Sequence, residues 1–297
     1  MKVLPPLSAT LRIFYDAYVH FSAHDGFAIA SHIALTTLIS MFPFLIFITA
    51  LAGFLGTEQL ADAAARSLFE AWPPQVAEPL TKELRDVLTQ SHGGLLTLGI
   101  GLSVYFSANG VEGLRVGLNR AYASQDTRPW WLTRLQSIAF VLVGALAFLG
   151  LGFLVVLAPP LWTAALRLVP LLQPLKDLVT YARFAITGLI LVPALFLVHE
   201  FLPAHRHKIG DLTSGILLTL ALWIGAAYVF AAYLSAYARN YASTYAGLAS
   251  VMIALGFLYM LGAIFIFGAE LNAAIHRARR KRAALAVALR SASPASN

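Results

Sequence analysis

Few side chains in this sequence can do chemistry, and most of those sit at helical spacing inside apolar sequence. Tyr105, Ala108, Glu112, Arg115, Asn119 and Tyr122 alternate steps of three and four, which places them on one helix face. Asn109 and Arg120 lie beside that stripe. Glu112 and Arg115 can neutralise each other, lowering the cost of holding them in a bundle. The stripe either lines a polar path or marks a helix end near Asn109, with the charges in headgroup water. His32, Thr36 and Ser40 recur at every fourth position. Thr and Ser can bond back to their own helix, whereas His32 needs a partner across helices, or water, and could relay a proton. Glu200 closes one apolar run, and Asp211 stands where it can cap the next helix. In "GAIFIFGAELNAAIHRARRKR", Glu270 and Asn272 end the last apolar run just before the cations from Arg277 to Arg282. Glu270 there is either an interfacial acid paired with a nearby cation or a lining group of a polar cavity.

Such groups are informative because of their solvent. Hydrophobic residues make up 59% of the 297 residues and charged ones 12%, with a mean hydropathy of +0.74. These values lie outside the soluble range. An ionisable side chain at membrane depth costs roughly 2.5 to 3.5 kcal/mol on insertion scales, so it usually faces protein or water. Arg115, Arg120 and Arg134 are expected to attract an anion, and Glu112 and Glu270 to set gating or proton coupling. The sequence has no cysteine, which removes disulfides and thiolate chemistry. His205 and His207 lack the paired carboxylates of a good metal site. No nucleotide loop, zinc-protease helix or nucleophile elbow occurs. The expectation is no metal, no cofactor and no enzyme.

The elements that must position these groups are apolar runs near the roughly 20 residues needed to span a bilayer. Six are predicted, at 28–54, 94–114, 136–158, 184–202, 212–236 and 246–270. The fold class is therefore all-α, a polytopic membrane protein with six transmembrane helices and short amphipathic interfacial helices. An even number of spans puts both termini on one side. The N-terminus, the loops near 115–134 and 203–211, and the C-terminal tail hold 14 of the 21 Lys and Arg, which predicts that this side is cytoplasmic. Topology thus accounts for the net charge of +7 without nucleic acid.

Three regions follow: a cytoplasmic amphipathic helix within 1–27, a membrane domain over 28–276 and a basic tail over 277–297. Anionic lipid headgroups are the expected partners of that basic face. The connection 57–93 falls outside, with helical patterns on either side of Pro73-Pro74, and residues 283–297 read as a frayed tail. Pro193 should kink the fourth span. Gly110, Gly113 and Gly117 leave a face bare enough for close helix approach, and Ala246, Ser250 and Ala254 do the same in the sixth span. Tyr233, Tyr237, Tyr241 and Tyr245 suggest an aromatic belt.

Four blocks carry a resemblance: "ASHIALTTLISMFPFLIF", "SANGVEGLRVGLNRAYASQDTRPWW", "FLPAHRHKIGDLTSG" and "YAGLASVMIALGFLYMLGAIFIFGAELNAAI". From about residue 8 to 276 the chain resembles the YihY/BrkB family of bacterial inner-membrane proteins, once mislabelled as ribonuclease BN. The family's Asn-Arg-Ala-Tyr run falls on Asn119 to Tyr122, and its Gly-Ala-Glu-Leu-Asn on Gly268 to Asn272. His199 stands where the family often has tyrosine. The resemblance implies six helices, cytoplasmic termini and a link to envelope lipids, and brings no settled activity. The resulting expectation is a transporter or a lipid or anion translocator that does not use ATP. The alternative is a membrane scaffold or envelope-assembly partner in which the same groups only join helices.

Overall fold

The computed structural model describes residues 9–54, 96–152, 176–245 and 249–292, with a few positions between 162 and 174. The loop 57–93, with its two expected helical patterns, lies outside the described residues, as do the side chains of Ala246, Ser250, Tyr237, Tyr241 and Tyr245. Among the described residues every element is helical: α1 (Ala9–Ala23), α2 (Gly26–Phe54), α3 (Leu96–Ala121), α4 (Trp130–Gly152), α5 (Lys176–Phe201), α6 (Ile209–Tyr245) and α7 (Ala249–Ala292). Four stretches are long and apolar enough to cross a membrane: Gly26–Ile48, Trp130–Gly150, Ile209–Ser235 and Val251–Leu285. α3 is helical throughout but too polar for that group, and α5 contributes the shorter apolar stretch Leu189–Phe201. α5 runs through Pro193 as one helix.

α2 and α7 form the centre, and the small residues of α3 explain how closely it approaches them. A Cβ on Gly110 would stand 3.2 Å from the Ser40 Cβ, and one on Gly117 would stand 2.6 Å from Ile266 Cδ1 and 3.0 Å from Ile33 Cδ1. α6 crosses α7 more tightly still: a Cβ on Gly215 would fall onto the Gly268 carbonyl and stand 2.6 Å from the Asn272 amide nitrogen. Further along the same crossing, the Trp223 indole donates to the Leu261 carbonyl at 3.0 Å. Leu118, Leu202, Leu212, Ile216, Phe265 and Ile266 belong to the largest apolar cluster among the described residues, which also takes in Phe21 of α1, Ile33 of α2 and Leu195 of α5. Outward faces are equally apolar: Ile224 is 74% and Tyr228 78% exposed on α6. A contiguous outer surface of this kind suits lipid rather than water.

Two expectations about boundaries change. α4 begins at Trp130, six positions before the predicted 136, which brings Arg134 inside a helix that packs on α3. α7 is 44 residues long and continues through the cationic run to Ala292, so residues 283–292 are helical and not a frayed tail. The stretch after Arg282 is rich in Ala and Leu, the strongest helix formers, and no glycine or proline interrupts it.

Candidate functional site

Polar side chains collect at the end of the bundle where α3 stops and the cations of α7 begin. The turn after α3 explains part of this. Ser124 N–H donates to the Asn119 carbonyl at 2.8 Å and Ala123 N–H to the Arg120 carbonyl at 3.0 Å, a C-terminal cap that needs a left-handed residue. Ala123 supplies it at φ 49°. The chain then folds back, and Asp126 returns beneath the helix it has just left.

Asp126 is the hub. Arg115 Nη1 donates to its Oδ2 at 2.6 Å, Arg128 grips it through Nε and Nη2 at 2.8 Å each, and Asn119 Nδ2 adds a bond at 3.1 Å. Arg128, followed by Arg115, holds this carboxyl well below the usual carboxylate range despite its partial burial. Arg128 also reaches Gln136 at 2.9 Å and the Leu202 carbonyl at 3.0 Å, while Asn119 accepts from Ala204 N–H at 2.7 Å. Gln136 donates to the Phe201 carbonyl. Three elements and two loops are thereby tied through one carboxylate.

A second group lies further along the α3–α4 seam. Arg134 is 9% exposed; it donates to Asn109 at 2.8 Å and to the Tyr105 carbonyl. Its guanidinium stacks 3.8 Å from the Tyr105 ring centroid. Glu112 lies between the two guanidiniums, 3.5 Å from Arg115 and 3.7 Å from Arg134, and is one-third exposed.

The third group is the most enclosed. Glu270 is completely buried, and His24, from the α1–α2 turn, donates from Nδ1 to its Oε1 at 2.6 Å. Its other oxygen makes no hydrogen bond and lies 4.0 Å from Arg277 Nη2. Arg277 in turn donates twice to Asp16 of α1, at 3.1 and 3.0 Å. Asn272, one turn ahead of His276, accepts from Gly215 N–H at 2.6 Å. The Asn272 side chain lies within electrostatic reach of the Tyr122 hydroxyl, yet neither its amide nitrogen nor that hydroxyl makes a hydrogen bond of normal geometry within the protein. Burial pushes the Tyr122 phenol far up, so it stays protonated and able to donate. The Tyr122 ring lies 4.2 Å from that of His207. Burial, reinforced by His276, lowers the His207 imidazole from its ordinary value. His199, fully buried and within electrostatic reach of His207, donates to the Leu195 carbonyl at 2.9 Å and leaves Nε2 without a protein partner. A buried polar atom left unpaired costs on the order of 1–3 kcal/mol, so this group of donors and acceptors is suited to water or a polar ligand.

The profile of the virulence factor BrkB family matches residues 17–290. The chain belongs to that family. Among its relatives, the ribonuclease-like protein YfkH of Bacillus subtilis is 24% identical over 266 residues, 89% of this chain and 95% of that protein. A UPF0761 membrane protein of Rhodospirillum centenum is 26% identical over 91% of this chain and 58% of its own length. Another, from Chromohalobacter salexigens, is 26% identical over 92% and 65%. This chain thus spans under two thirds of the two longer relatives. No solved structure gives a significant match. With several apolar helices and these relatives, this BrkB-family chain is a multi-pass membrane protein.

The eleven residues singled out in the sequence fall in different places within the BrkB-family chain. Asn109, Glu112, Arg115, Asn119 and Arg134 meet around the α3–α4 seam, and Glu270 and Asn272 meet the α1–α2 turn and α6. Among the described residues no hydrogen bond or ion pair joins Glu112 or Arg115 to Glu270. His32 faces outward, away from both groups. Arg120 makes an exposed pair with Asp25 at 2.8 Å. Asp211 sits in the first turn of α6 and pairs with Arg279 and, at 3.8 Å, His276. Glu200 is half-buried at the end of α5, outside these networks. Sequence reasoning missed Asp126, Arg128, Gln136 and His24. "DTRPWW" carried a usable signal: an acid and a cation two apart in a short turn between two helices can fold onto one another.

Proposed function

We propose that this protein is a transporter or translocator of an anionic solute or lipid, working without ATP, in a bacterial inner membrane. The reading takes six membrane crossings, with α3 and α5 as the two polar or shorter ones and both termini cytoplasmic, in keeping with the Lys and Arg bias. One observation carries it: a fully buried carboxylate, Glu270, has one oxygen free of protein hydrogen bonds, beside the unpaired donors of Tyr122 and Asn272. In an apolar bundle such groups are retained at a cost, and water or a polar cargo that meets them offsets it. The basic rim would collect the anion, and Glu270 with His24 would hold or release a proton as it passes. The chain acts on neither RNA nor a covalent bond in this reading. The test is reconstitution into liposomes carrying reporters of anionic lipid and of small anions. Transbilayer movement above protein-free vesicles, reduced in Glu112→Gln, is expected; none for any anion would overturn the proposal.

A second reading has its own observation. The Asp126 carboxylate finds its partners within the protein, in Arg115, Arg128 and Asn119. That is the arrangement expected of a scaffold whose polar groups fasten helices and conduct nothing. It predicts that Glu270 is inaccessible to water, which deuterium-sensitive infrared bands of its carboxyl would reveal.

A further inference from the structure

Helical geometry sorts the cations of α7 by face. Arg279 and His276 turn toward Asp211 of α6, while Arg277, Lys281 and Arg282 turn toward α1. There they join Arg12 in lining a cavity of about 540 Å³ between α1 and α7, a size within the range of small-ligand sites. Ala9, Ala274 and Ala278 leave it room, and Ile13 gives it one apolar wall. Its single carboxylate, Asp16, is already engaged by Arg277, and Arg12, Lys281 and Arg282 have no acidic partner among the described residues. The cavity therefore carries a net positive charge contributed by two helices. The surface of α1 indicates the source of the anion. Tyr15 and Tyr18, each 56% exposed, together with the half-exposed Phe14 and Val19, present an aromatic and apolar face, as expected of a helix lying at headgroup depth.

We infer that the α1–α7 groove binds the phosphate of an anionic glycerophospholipid, through Arg12, Lys281 and Arg282, with Arg277 on its floor. Arg277 also lies 4.0 Å from the free oxygen of Glu270, so an occupied groove would compete for a group that balances the buried acid. The site depends on the chain being a membrane protein and not on transport, because it is measured at equilibrium without a gradient. Full-length protein in detergent would be titrated with dioctanoyl phosphatidylglycerol and, separately, dioctanoyl phosphatidylcholine, with binding counted by native mass spectrometry. The anionic lipid is expected to fill one site at least about tenfold more tightly. Lys281→Gln with Arg282→Gln, or Arg12→Gln from the opposite wall, is expected to weaken it about tenfold, whereas Arg280→Gln, on the same helix outside the groove, changes it less than about twofold. Equal losses in Arg280→Gln and the groove variants would mean diffuse attraction and overturn the site. So would unchanged affinity in the groove variants, or displacement by equimolar inorganic phosphate, which would point to a soluble anion.

Discussion

Asp126 and Tyr122 lie in the same turn and make opposite predictions. Asp126 gathers Arg115, Arg128 and Asn119, so Asp126→Asn strands two partly buried guanidiniums and is expected to destabilise the protein by about 3 kcal/mol near neutral pH. Because its folded-state pKa is depressed, that stabilisation is present above the ordinary carboxylate value near ~3.9 and is lost as pH falls through the depressed folded value. Thermal melts in detergent should show the gap between wild type and Asp126→Asn shrinking as pH drops below about 4; a constant gap would deny the ionic role. Tyr122 has no hydrogen bond within the protein to lose. Tyr122→Phe should alter stability by less than about 1 kcal/mol. If the hydroxyl meets a cargo, flux in liposomes should nonetheless fall at least about tenfold. Ala123, at φ 49°, gives a third case. Glycine adopts that conformation at less cost than alanine, so Ala123→Gly should raise stability by roughly 0.5–1 kcal/mol in the same melts.

Among the elements, the tight crossings decide which substitutions matter. Gly215 of α6 meets the backbone carbonyl of Gly268 and donates to Asn272; backbone cannot swing aside as a side chain can. Gly215→Ala is expected to cost about 2 kcal/mol or more, and Gly210→Ala, with open space around it, almost nothing; equal melting temperatures would refute the packing account. Much of this level was legible beforehand. The glycines of α3 announced a close approach, and the structure puts Ser40 and Ile266 against them. The stripe through Glu112, Arg115 and Asn119 does share a face, because helical periodicity is local information. What escaped was non-local or depended on turns. His24 and Glu270 are separated by 246 positions, and nothing in either neighbourhood names the other. Asp126 was not singled out, because only the left-handed step at Ala123 folds it back. Arg134 was placed before a helix because the apolar run was counted from residue 136, whereas the helix begins at Trp130. Residues 283–297 read as a frayed tail from their alanines and serines, yet the alanines and leucines up to Ala292 keep that stretch helical.

For the molecule as a whole, four long apolar stretches and two polar or shorter helices form one bundle whose polar groups gather at the basic end. The absence of native cysteine makes its orientation simple to measure. In intact cells an impermeant thiol reagent should label Ser91→Cys, in the predicted outer loop, and spare Ser291→Cys, near the C-terminus; the reverse pattern would invert the topology. Two polar groups then divide the labour. The Asp126 network fastens α3, α4 and the α5–α6 connection, and the Glu270 group carries unpaired buried atoms from several elements. The groove between α1 and α7 adjoins it through Arg277.

The direct measurement is transbilayer movement of anionic cargo in proteoliposomes containing either wild-type protein or Glu270→Gln, each confirmed folded by its melt. Glutamine keeps the shape and a bond to His24 but cannot ionise. Movement in wild type that falls at least about tenfold in Glu270→Gln is the result expected if the buried acid serves a pathway. Identical rates in the two proteins, or none in either, would contradict it and leave the buried acid as a fastening between helices.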